Sequence, residues 1–135
     1  GARIHVLANG ESATVAGIPI RAIPAYNTTP ERLQYHPKGR DNGYVLTFAD
    51  AQVYIAGDTE DIPEMRALRN IDVAFVPMNL PYTMTVQQAA SAVREFKPRI
   101  VYPYHSRGSD VAEFARLVGT DSGVEVRLRD WYPAR

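Results

Sequence analysis

Three side chains in this 135-residue sequence stand where chemistry is commonly done. Asp58 follows the strand-like run "QVYIA" in "VYIAGDTEDIPEM", His105 follows "RIVYPY", and Tyr82 lies in the loop after "IDVAFVP". Each sits just past the carboxyl end of its strand. If those strands run in one direction, the three side chains meet on one rim of a sheet, where ligand sites of βαβ-containing sheets concentrate. Asp58 reads either as a metal ligand or as a polar residue opening a turn. His105 reads as a ligand or as a loop histidine bonded to a carbonyl. Tyr82 reads as a catalytic hydroxyl or a packing aromatic. His36, in "YHPKG", lies in a polar loop, and His5 reads as an ordinary strand residue. With no cysteine in the chain, there is no disulfide and any metal must sit on His, Asp or Glu.

The elements that would carry these residues change character along the chain. "RIHVL" and "ATVAG" flank Asn9-Gly10, a hairpin dipeptide. "IPIRAIPAY" follows Gly17, and Pro19 and Pro24 in it indicate an edge strand or a bulge. Asn27 to Asn42 form a long polar loop broken by Pro30, Pro37 and Gly39, of a length more often functional than not. Its basic residues Arg32, Lys38 and Arg40 read as a solvated face. "GYVLTF" and "QVYIAG" then make a hairpin turned at Ala49-Asp50-Ala51. Beyond it the period becomes helical. Asp61 and Glu64 start a short helix reaching about Leu68, and Thr85 with Gln88 forms a capping box for a helix ended by Pro98. Asp110 and Glu113 open a third helix, stopped by Gly119. "IDVAFVP" and "RIVYPY" are buried strands, and "VEVRLR" is an alternating one. Hairpins followed by a βαβαβ run with right-handed crossovers give an α+β layered fold in a single domain, residues 1–135.

Composition narrows the partners. Fifteen basic and fifteen acidic residues cancel, so no global charge favours nucleic acid or an anionic membrane. No apolar run approaches a membrane span, and no signal-peptide pattern is present, so a cytoplasmic protein is expected. The first residue is Gly1, compatible with a processed, tagged or cut N-terminus.

"AIPAYN", "YHPKGRDNGYVLTF", "VYIAGDTEDIPEM", "IDVAFVPMN", "YTMTVQQAASAV" and "KPRIVYPYH", taken in order, resemble the C-terminal half of the metallo-β-lactamase superfamily. The branch that looks most similar is the metal-dependent hydrolases related to ascorbate phosphate lactonases, and the likeness runs from about Val6 to the end of the chain. It implies that Asp58 is a carboxylate bridging two metal ions, His105 a late histidine on one ion, and His36 an earlier histidine on the other. It implies zinc, with manganese or iron as alternatives. Gly57 before Asp58 fits, because a backbone without Cβ lets the turn tuck the carboxylate toward the rim. The family's leading H-x-H-x-D-H motif is absent from this chain.

Half of an αββα sandwich leaves one sheet face bare. Val45, Leu46, Val53, Ile55, Val73, Phe75, Ile100 and Tyr102 are too many for one helical layer to hide. Leaving several hundred Å² of apolar face in water costs on the order of 10 kcal/mol at about 25 cal/mol per Å². A second copy related by a two-fold axis is the simplest cover, so a homodimer is expected, with or without strand exchange. The function this implies is metal-dependent hydrolysis of an ester, lactone or phosphoester by a metal-activated water. Tyr82, or else Arg107, would stabilise the developing oxyanion. The alternative is a non-catalytic, self-associating remnant or a fragment of a longer hydrolase.

Overall fold

The computed structural model describes residues 3–132. Seven strands form one sheet in sequence order: β1 (Ser12–Val15), β2 (Ile18–Ala25), β3 (Asp41–Phe48), β4 (Ala51–Ile55), β5 (Val73–Pro77), β6 (Ile100–Tyr104) and β7 (Glu125–Val126). β1 to β4 are antiparallel, whereas β4 to β7 are parallel. Helices α1 (Pro63–Arg66), α2 (Val86–Phe96) and α3 (Val111–Val118) connect the parallel strands in turn. Because the strand order never reverses, right-handed crossovers deliver all three helices to the same face. The other face therefore receives none.

The helical face is the core. Tyr54, Ala56, Ala74, Val76 and Val101 are buried with Met65, Ala89, Val93, Phe96, Phe114 and Val118. The Thr85–Gln88 capping box forms as its sequence predicts, each side chain bonding the other's backbone N–H. Of the expected inward face of α2, Ala89, Ala90 and Val93 are buried and Val86 is partly so. The helix ends on Lys97, whose left-handed backbone (φ 51°) precedes Pro98. Asp110 caps α3 by accepting the Glu113 N–H.

The bare face is apolar. Register aligns Tyr44, Ile55, Phe75 and Tyr102 in one row across β3 to β6, and Leu46, Val53, Val73 and Ile100 in the next. Phe75 stacks on Tyr102 at 5.2 Å between ring centroids, yet Ile55 and Tyr44 remain 37% and 36% exposed. "IDVAFVP" is thus covered on one face rather than two: Ala74 and Val76 are buried, whereas Val73 and Phe75 are only half-buried.

Four local expectations are corrected. Residues 3–8 form no strand, so His5 is not a sheet residue, and the first hairpin turns at Ala16-Gly17. Asn9-Gly10 instead makes a turn in which the Glu11 N–H bonds Ala8 O and the Gly10 N–H reaches Ala22 O. The first helix is a single turn capped by Ile62 without a side-chain bond, because Asp61 is engaged by Arg66 at 2.6 Å. "VEVRLR" pairs over only two residues, opposite Ile100 and Val101. The chain then leaves the edge, and Trp131 returns to bond Pro103 O through its indole N–H. Among the described residues, no helix is long and apolar enough to cross a membrane.

Candidate metal centre

Parallel strands β4 and β6 bring Asp58 and His105 to one rim. Asp58 leaves β4 through Ala56 and Gly57. Gly57 has φ +71°, and a Cβ there would meet Asn42 O at 2.9 Å, so this turn requires glycine. Its N–H donates to the Tyr104 hydroxyl of β6 at 3.0 Å, which ties the carboxylate's turn to the neighbouring parallel strands. Burial raises the Tyr104 pKa and the Asp58 charge adds to that, against the opposing Gly57 hydrogen bond.

His105 follows β6 directly, in the left-handed region (φ 45°). That conformation is uncommon outside glycine and concentrates at functional sites. Its Nδ1 lies 2.8 Å from Asp58 Oδ1. Its Nε2 lies 3.2 Å from Asn79 Nδ2, just past β5, and Asn79 Oδ1 accepts from the Thr83 hydroxyl at 2.8 Å. His36 arrives from the opposite side, on the long loop between β2 and β3, with Nε2 3.4 Å from Asp58 Oδ2. Its side chain is 15% exposed, against 44% for both Asp58 and His105.

Asp58 is therefore central, one carboxylate oxygen toward each imidazole. These donors are of the type a zinc-like ion takes, but there are only three, and they form a string. Among the described residues, no three or more His, Asp or Glu side chains gather as a group that could hold a metal ion. The donor chemistry fits a metal; a closed four-donor site needs more than this layer presents.

Tyr82 lies on the loop after β5, 48% exposed, with its ring edge-on to Tyr35 at 4.9 Å. Arg107 stacks on the Tyr132 ring, 4.3 Å from the centroid. Beside His105, a shallow apolar hollow of about 410 Å³ is lined by Ile55, Phe75, Tyr104, Trp131 and Tyr132.

Sequence reasoning missed the anchor beneath this rim. Glu60, two residues past Asp58, is fully buried. Its Oε2 accepts from the Thr28 N–H at 2.7 Å, the Thr29 N–H at 2.9 Å and Asn27 Nδ2 at 3.2 Å. Its Oε1 accepts from Gln88 at 3.0 Å, Arg32 at 3.1 Å and the Thr29 hydroxyl. Burial alone would raise the Glu60 pKa; the bonds from Thr29, Gln88 and Thr28 overcome it and hold the group at about 2. Arg32 is accordingly not a solvated loop residue. Its side chain is 17% exposed and paired with Glu60, which pins the His36 loop to the start of α2. The T-x-x-Q signal was visible in sequence, but nothing there marked Gln88 as a second tie to this carboxylate.

A one-layer sheet with all helices on one face, and an Asp and two His at its carboxyl rim, is one half of a metallo-β-lactamase sandwich. A sequence model of the beta-lactamase superfamily domain matches residues 1–105, and the chain belongs to that superfamily. It is 33% identical over 121 residues to a UPF0173 metal-dependent hydrolase of Pyrococcus horikoshii, covering 83% of this chain and 53% of the relative. A crystal structure from Parabacteroides distasonis, named as a metal-dependent hydrolase, is 57% identical with a TM-score of 0.88, over 92% of this chain and 56% of that one. A metallo-hydrolase of the archaeon Ignicoccus hospitalis superposes with a TM-score of 0.73 at 28% identity, over 90% and 55% of the two chains. The chain thus spans about half the length of the curated relatives it matches.

Proposed function

We propose that this chain is the layer of a metal-dependent hydrolase that contributes Asp58, His36 and His105 as metal donors. The observation that carries the reading is the carboxylate of Asp58, with Oδ1 2.8 Å from His105 and Oδ2 3.4 Å from His36. Asp58, His36 and His105 would together hold the metal. A bound ion, zinc foremost with manganese or iron as alternatives, supplies the Lewis acidity that activates water and polarises a carbonyl or phosphoryl oxygen. The chain's own residues bind and orient. Gly57 and Tyr104 fix the direction of Asp58, Asn79 holds His105, and the Tyr82 hydroxyl is proposed to donate to the developing oxyanion of an ester, lactone or phosphoester.

The remaining donors are proposed to come from a second α/β layer seated on the bare face. The relatives, nearly twice as long, have room for one. In solutions of this chain alone, a second copy is the cover we propose, because the Tyr44–Ile55–Phe75–Tyr102 row is self-complementary in chemistry.

Equilibrium dialysis with zinc and manganese, followed by measurement of metal per folded chain, tests the reading. Stoichiometric binding that Asp58→Ala abolishes is expected. Less than about a tenth of an equivalent in a folded sample would refute it. The string-like arrangement of the three donors favours a second reading, a self-associating module without chemistry. It predicts that turnover of generic esters and phosphodiesters is the same with and without chelator.

A further inference from the structure

We infer that Asn27 is a positioning residue that fixes His36 as the Nδ1–H tautomer, so that Nε2 faces Asp58 bare and ready to ligate; its consequence for metal rests on the function proposed above. Asn27 is 3% exposed at the end of β2. Its Nδ2 lies 3.2 Å from Glu60 Oε2 and 2.9 Å from the Tyr82 carbonyl. A carboxylate held ionised and a carbonyl can only accept, so both neighbours demand the amide NH₂ there, and the side-chain orientation admits no flip. Its Oδ1 is then the atom 2.8 Å from His36 Nδ1. An amide oxygen has no hydrogen to give, so Nδ1 must carry the proton. In the neutral ring the lone pair falls on Nε2, which faces Asp58 Oδ2 at 3.4 Å.

Two features separate this from routine satisfaction of a buried amide. First, the Asn27 N–H also donates to the His36 carbonyl at 2.9 Å, so one residue brackets the histidine by both backbone and ring. Second, the tautomer chosen is the locally unfavourable one. An Nε2–H would bond Asp58 directly, whereas a bare Nε2 opposite a carboxylate puts two lone pairs face to face. That arrangement is relieved by a positive charge between them, either a metal ion or the second proton of the imidazolium. His105 is held differently: Asn79 Nδ2 meets its Nε2 at 3.2 Å and its Nδ1 lies 2.8 Å from Asp58 Oδ1, so a metal on His105 would displace one of these two contacts.

The test is long-range ¹H–¹⁵N correlation of the imidazole nitrogens in the metal-free 135-residue chain, at about pH 8.5, above the usual histidine range. His36 is expected to show a protonated Nδ1 and a bare Nε2; a predominant Nε2–H form in this chain overturns the inference whatever the variant does. Asn27→Leu, which removes the acceptor opposite Nδ1, should move the proton to Nε2, toward Asp58. An Nδ1–H form unchanged in Asn27→Leu would also overturn it. Zinc affinity of Asn27→Leu should fall by roughly 10–100-fold, as for other residues that orient a ligating histidine. A tautomer switch with unchanged affinity would remove Asn27 from metal positioning. If the unaltered chain bound no zinc although His36 had the expected tautomer, the proposed function would fall and the assignment of the proton would stand.

Discussion

Glu60→Gln is the substitution that most directly probes how the His36 loop is held. Six donors converge on this buried carboxylate, from Asn27, Thr28, Thr29 (two), Arg32 and Gln88. Glutamine keeps the size but turns one oxygen into an NH₂ group, setting a donor against donors and leaving Arg32 without its counter-charge. The depression from 4.5 to about 2 corresponds to about 3 kcal/mol of native-state preference for the ionised form. Loss of a buried charge partner is typically a 3–5 kcal/mol effect, so both routes agree on about 3 kcal/mol, or a fall in Tm on the order of 10 °C. The sign of the pH dependence follows. A carboxylate whose folded pKa lies below its unfolded one stabilises fully above the unfolded value, and that stability is lost as pH falls through the folded value. The gap between the unaltered chain and Glu60→Gln should therefore be full at neutral pH and close between 4.5 and about 2. Urea unfolding followed by circular dichroism at a series of pH values reads both quantities. A gap under about 0.5 kcal/mol at neutral pH, or one that grows in acid, would refute the latch.

Three further outcomes are expected. Ile55→Glu, on the bare face, should convert a sedimenting dimer of the chain into a monomer; an unaltered chain that is monomeric at micromolar concentration would remove the case for self-association. Tyr82→Phe should leave metal content unchanged and lower turnover by about 100-fold if its hydroxyl donates to the oxyanion, whereas equal turnover would assign it to packing. Thr85→Ala should cost about 1 kcal/mol in unfolding experiments, since it removes one half of a formed capping box.

The parallel half of the fold was legible because its signals are local. The T-x-x-Q box, the apolar runs at β5 and β6, and the helical spacing of Ala89, Ala90 and Val93 each fix an element without reference to the rest. The bare face was legible in Leu46, Val53, Ile55 and Phe75, which β-strand alternation leaves with no helix to meet, whereas Val45, counted with them, is buried in the helical core. Of the two N-terminal turns read in the sequence, the one at Gly17 joins β1 to β2, whereas "RIHVL" before Asn9-Gly10 finds no strand to pair with. "VEVRLR" alternates as a strand does, but β6 offers it a partner over two residues only. Asp58, His36 and His105 were legible as candidates, and the structure brings them into contact. Glu60, Asn27 and Asn79 were not. A buried acid after "GDT" has the same letters as a helix-opening acid, and a bracketing asparagine has the same letters as a loop one. Their roles are set by contacts across 9 to 55 residues of sequence, which no local pattern encodes.

The central claim is that Asp58 and its two imidazoles are a metal-donor set on an open half-sandwich. Anomalous diffraction at the zinc edge, from crystals of this chain grown with zinc, addresses it directly. The account predicts a peak at about 2 Å from an Asp58 oxygen, the bonding distance of zinc to carboxylate, with Nε2 of His36 as a further ligand. Well-ordered crystals with zinc bound only elsewhere, and Asp58 still hydrogen-bonded to His105, would contradict it.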